Sequence, residues 1–194
     1  MQNQMKTVQI EKVTLNMGAG QTGNELKKTT TILSLVSNAK PTHTLCKIKQ
    51  PTWGLRPGLT IGAKVTLRGK KAEDFLKDAF IAKDNTLKRK SFDKRGNFGF
   101  GIKEYIDLPK AKYDPKLGIK GLDVLVTLER PGYRIKKRKI GKTKLPQAQI
   151  ITKEEAEKFI KEKFGVEIEW VNKKFQNLGK SNQRFVNNVE ATRE

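Results

Sequence analysis

The chain has 194 residues and carries 41 Lys and Arg against 20 Asp and Glu, a formal charge of +21 with a pI near 10.1. That length supports one sizeable core, and that charge calls for a polyanionic partner. No apolar run approaches the ~18 residues of a spanning helix, no signal-peptide core follows MQNQMK and no lipidation motif occurs, so a nucleic acid is expected rather than a membrane, in a cytoplasmic setting. The single Cys46 excludes an intramolecular disulfide and any multi-cysteine zinc site.

Residues 8–16, VQIEKVTLN, alternate as a first strand, with Val8, Ile10 and Val13 or Leu15 inward and Gln9, Glu11, Lys12 and Thr14 outward around one irregularity. Gly18-x-Gly20-x-x-Gly23 then leads into a helix, ELKKTTTILSLVS, burying Leu26, Ile32, Leu33 and Val36 and stopped by Pro41. The glycine spacing formally matches a dinucleotide fingerprint, but after Glu25 the next carboxylate is Glu73, too far on to hold a ribose hydroxyl. It reads instead as a close strand-to-helix turn.

Residues 42–48 form a short strand, and the loop KQPTWGLRPG sets Trp53 among Lys49 and Arg56, where an aromatic ring can stack on a base or plug the core. Residues 59–68, LTIGAKVTLR, alternate most clearly. Ile61, Ala63, Val65 and Leu67 turn inward, and Thr60, Lys64, Thr66 and Arg68 make a hydroxylated, cationic face suited to sugar and phosphate. The helix KKAEDFLKDAF buries Ala72, Phe75, Leu76 and Phe80. From 81 to 120 the chain is loop-rich around FGFGI, whose Phe98 and Phe100 are either a base-stacking pair or core anchors. Asp107, Asp114 and Asp123 are scattered, with no arrangement for Mg²⁺ or for acid–base chemistry, and His43 has no second histidine to complete a metal site.

Residues 122–129 alternate again, with Val124, Val126 and Leu128 to one side, until Pro131-Gly132 breaks the strand. A basic arm over 130–146 follows, in which Arg134, Lys136, Lys137, Arg138, Lys139, Lys142 and Lys144 have no carboxylate among them. Residues 26–72 hold ten Lys or Arg and no acid, so two electropositive segments stand ready to converge in the fold. Thr152-Lys153-Glu154-Glu155 is a capping box opening a helix that buries Ala156, Phe159, Ile160 and Phe164 and stops at Gly165. VEIEW adds a last strand. The reading is one basic domain over 1–169, facing a polyanion, and a polar tail over 170–194.

IEKVTLNMGAG, KPTHT, IGAKVTLRG, KSFDKRGNFGFGI, YDPKLGIKGLDVLVTLERPGYRIKKRK and ITKEEAEKFIKEKFGVEI, in this order, resemble the family of the universal large-subunit ribosomal protein L-five, in its archaeal form. The resemblance implies an α+β fold, an antiparallel sheet with helices packed on one face, whose open side grips 5S ribosomal RNA in the central protuberance. It implies RNA contacts at Lys12, Asn16 and Thr66. Ala39 stands before Lys40 where the family commonly has Gln, and Lys40, Lys64 and Arg68 join the expected RNA-binding set with Arg134, Lys136, Lys137, Arg138 and Lys139. The family's loop towards peptidyl-site tRNA corresponds here to Lys49, Gln50, Pro51, Thr52, Trp53 and Arg56. Expected partners are 5S rRNA, large-subunit rRNA, that tRNA and neighbouring ribosomal proteins; no cofactor, metal or catalytic residue is implied. The competing reading is a general RNA-binding module or RNA chaperone outside the ribosome.

Overall fold

The computed structural model describes residues 3–169. Its elements are β1 (Gln9–Gly18), α1 (Asn24–Ser37), β2 (Thr42–Leu45), β3 (Thr60–Leu67), α2 (Lys70–Ile81), β4 (Thr86–Lys88), β5 (Phe98–Ile102), β6 (Leu122–Glu129), α3 (Lys153–Phe164) and β7 (Glu167–Glu169). Five strands form one antiparallel sheet in the order β2-β3-β1-β6-β5, so the first strand is central. Because successive side chains point to opposite faces, the three central strands turn alternate residues to the core over most of their length. Val13, Leu15 and Met17 of β1, Ala63, Val65 and Leu67 of β3, and Val124, Val126 and Leu128 of β6 are buried. They form one core with Ile32 and Leu33 of α1 and Phe75, Leu76 and Phe80 of α2. The helices therefore cover one face and leave the other open, as the α+β reading expects.

Local signals set the element ends, with some departures. The capping box of α3 forms, Thr152 accepting from the Glu155 amide while the Glu155 carboxylate accepts from the Thr152 amide, and Gly165 ends the helix at φ 67. Ala156 and Ile160 are fully buried, whereas Phe159 and Phe164 are only partly so. Helix α1 stops earlier than Pro41, at Asn38 in the left-handed region. Two short strands inside segments read as irregular or terminal, β4 and β7, pair in parallel as a separate two-stranded sheet.

Phe98 and Phe100 are not a stacking platform. Both are buried, Phe98 stacked on Phe92 at 5.1 Å and Phe100 on Phe80 at 5.5 Å between centroids, so β5 turns its aromatics to the core and Gly99 and Gly101 to the open face. The polar tail over 170–194, and with it Trp170 of the expected last strand, lies outside the described residues. Among the described residues, no helix is long and apolar enough to cross a membrane.

Candidate nucleic-acid interface

The register of the sheet assembles the open face. Thr14 stands opposite Thr66, and Asn16 lies between Lys64 on β3 and Asp123 on β6. Lys12 is opposite Thr127, and at the edge Thr42 of β2 is opposite Lys64. Lys12, Asn16 and Thr66 thus share one surface; Lys64, Thr66 and Arg68 are exposed, and Lys12 and Asn16 are half-buried between neighbouring strands. Lys40 is exposed just before β2, beside the row that Thr42 and Lys64 begin. Hydroxyls, amides and ammonium groups alternate across the face, the groups that meet phosphate oxygens and 2′-hydroxyls.

At one end of this face the two electropositive segments converge on a carboxylate. A bulge between Ile10 and Lys12 makes Glu11 the extra residue of β1. Glu11, expected to point outward into solvent, is buried instead, covered by Lys137 of the arm and Arg68, the residue after β3, whose Nη1 stands 3.8 Å away. Lys137 also reaches Glu129 at the end of β6, 3.0 Å away. Burial works against ionising Glu11, but the Lys137 hydrogen bond and the charges of Lys137, Lys12 and Arg68 outweigh it and hold the carboxyl below the usual range. Burial likewise opposes the charge on Lys137, and its bonds to Glu11 and Glu129 outweigh that and raise its pKa.

The arm's course follows from three further anchors. Gly132 at φ 95 makes the reversal after β6, a conformation costly to any residue with a Cβ, and a turn of 3₁₀ helix follows over Tyr133–Lys136. Tyr133 is buried, its hydroxyl donating to the Gln149 carbonyl at 2.7 Å and accepting from the Ile151 amide at 3.1 Å. Arg130, at the arm's base, is not offered to a ligand: it is largely buried and pairs with Glu155 at 2.8 Å. Arg134, Lys136, Arg138 and Lys139 remain exposed, Lys136 lying over the Tyr133 ring at 4.8 Å and Arg138 donating to the Gly141 carbonyl. Between the arm and the turn before β5 runs a groove of about 430 Å³ whose lining includes Arg95, Asn97, Thr127, Lys136 and Lys144.

The loop between β2 and β3 stands apart as a second feature. Gln50 and Leu55 exchange backbone hydrogen bonds at 3.0 Å in both directions, closing a small tip over 51–54. Lys49, Gln50, Pro51, Thr52 and Arg56 are exposed, and Trp53 is 73% exposed, so this ring does not plug the core.

Two family models divide the chain between them: one described as ribosomal protein L5 matches residues 3–56, and one that describes the C-terminus of the same ribosomal family matches residues 60–171. The chain belongs to the ribosomal protein L5 family. It is 48% identical over 168 residues to the large ribosomal subunit protein uL5 of Methanococcus aeolicus, covering 85% of this chain and 93% of that one. The uL5 of Nanoarchaeum equitans is 47% identical over 169 residues, covering 87% and 99%. As a ribosomal L5-family protein the chain is a structural RNA-binding component rather than an enzyme. Among the described residues, no group of three or more His, Cys, Asp or Glu is placed to hold a metal.

Reading the L5-family sequence alone missed Glu11, Glu129 and Tyr133, the groups that fasten the arm. Glu11 lies 126 positions from Lys137 and the partners of the Tyr133 hydroxyl lie 16 and 18 positions beyond it, so no local pattern joins them, and only the β1 irregularity hinted at Glu11.

Proposed function

We propose that this protein is a constituent of the large ribosomal subunit that binds 5S rRNA on its open sheet face, in the central protuberance, and reaches peptidyl-site tRNA with the 49–56 loop. The observation that carries this is the placement of Lys12, Asn16, Lys64 and Thr66 on one uncovered surface, continuous with a cationic arm latched to its end. Asn16 and Thr66 hydrogen-bond sugar hydroxyls or base edges and fix local shape, while Lys12, Lys40, Lys64 and Arg68 neutralise phosphates. Arg134, Lys136, Arg138 and Lys139 extend the electropositive track, and Lys137 serves chiefly to hold the arm. Trp53 at the loop tip offers a ring for stacking on, or packing against, the tRNA.

Filter binding of 5S rRNA against an unrelated hairpin of equal length, at constant salt, tests this reading. The unmodified chain should prefer 5S rRNA, and Asn16→Ala should reduce that preference. Equal affinity for both RNAs, with equal losses on substitution, would make the protein a general RNA-binding module instead.

A further inference from the structure

The open face carries one carboxylate that no described cation neutralises. Glu11 is engaged by Lys137 and Arg68 and Glu129 by Lys137, but Asp123, at the start of β6, is exposed and has neither an ion pair nor a hydrogen bond among the described residues. An unpaired anion on a surface built for a polyanion weakens binding unless the RNA offers it donors. Asp123 stands directly opposite Asn16 on one side and Gly101 on the other, and side chains opposed in this way have their Cβ atoms about 4.5–5.5 Å apart. Two residues on, Leu125 is 49% exposed on the same face and leans over Gly99, where an added Cβ would come within 2.7 Å of its Cδ2. The two glycines keep the floor beside Asp123 and Leu125 at backbone level.

We infer that Asn16, Asp123 and Leu125 form a reading site for one unstacked guanine of the bound RNA, with Asp123 as its specificity-determining residue. The inference rests on the 5S rRNA reading given above. Guanine alone among the four bases presents two adjacent donors, N1–H and N2–H, on its Watson–Crick edge, matching the two acceptor oxygens of a carboxylate. Adenine, cytosine and uracil each set an acceptor beside their donor, and the carboxylate repels it. Asn16, on the neighbouring strand, donates its amide N–H to guanine O6, and Leu125 gives the nucleotide an apolar contact.

The test combines an analogue scan with one substitution. 5S rRNA transcribed with sparse inosine in place of guanosine, which removes only the N2 amino group, is selected for binding to the unmodified chain and to Asp123→Asn. The unmodified chain should show interference at a guanosine that Asp123→Asn no longer distinguishes, and the variant should bind ordinary 5S rRNA roughly ten- to a hundredfold more weakly. Removing a negative charge from an RNA-facing surface otherwise leaves binding unchanged or tighter, so either of those results overturns the inference while leaving the 5S preference standing. An affinity loss that vanishes when Mg²⁺ is replaced by cobalt hexammine assigns Asp123 to a bridging ion and overturns it too. The scan on the unmodified chain is independent of how the variant folds. Lack of any 5S preference in the unmodified chain strikes the underlying reading and this site with it.

Discussion

Lys137→Met should loosen the arm and destabilise the whole domain. The substitution removes the cation that meets both Glu11 and Glu129, and leaves the Glu11 side chain, 6% exposed, with Arg68 at 3.8 Å, itself 60% exposed, and the charge of Lys12. Stranding a buried carboxylate typically costs ~3–5 kcal/mol. Here the Lys137 side chain is 44% exposed, so solvent screens the pair and Arg68 partly compensates; the expected loss is about 1–3 kcal/mol. Because the folded-state pKa of Glu11 is lowered, the stabilisation is present above the ordinary glutamate value of 4.5 and disappears as the pH falls through the folded value below it. The raised pKa of Lys137 adds a loss only at the alkaline end, above 10.5. Urea denaturation of the unmodified chain and the variant, at neutral pH and again well below pH 4.5, should show the difference shrinking in acid. Adding Glu11→Gln to Lys137→Met should recover part of it by removing the stranded charge. A loss below ~0.5 kcal/mol at neutral pH, or one of equal size in acid, would refute the latch.

Neutralising Arg134, Lys136, Arg138 and Lys139 together should lower affinity for all RNAs and flatten the dependence of log K on log salt by up to ~0.9 for each duplex phosphate no longer neutralised; an unchanged slope in a salt titration would mean that the arm faces solvent. Tyr133→Phe removes a buried hydroxyl that serves the Gln149 carbonyl and the Ile151 amide, and should cost about 1–3 kcal/mol in the same urea assay. A neutral result there would detach this hydroxyl from the account of the arm. Trp53→Ala, at a position 73% exposed, should leave stability within about 0.5 kcal/mol while weakening retention of tRNA on reconstituted subunits. A large drop in Tm would show the ring to be structural after all.

How much was legible from residues alone depended on the range of the signal. Helix α3 could be read because its start and stop are local: Thr152, Glu155 and Gly165 lie within one short stretch and each acts on its own backbone neighbours. The division of β3 into Val65 and Leu67 inside and Lys64 and Thr66 outside was equally plain, since strand alternation has no competing period. The bulge was only half legible. An irregularity near Glu11 was evident, but alternation cannot say which residue is the extra one, nor that Lys137, 126 positions away, closes over it. The same limit hid the β4 and β7 pairing, where three-residue strands carry too little pattern. Phe98 and Phe100 fit either face of β5, and packing against Phe80 and Phe92 decided the matter. Asp123 read as one of several scattered acids until the register set it beside Asn16.

The central claim is that 5S rRNA lies on the sheet's open face, and site-directed photocrosslinking addresses it most directly. A benzophenone side chain placed at Thr66, on that face, should crosslink to 5S rRNA in the assembled complex, whereas the same group at Lys161, exposed on α3, should not. Crosslinks from position 161 with none from position 66 would place the RNA against the helices and contradict the account.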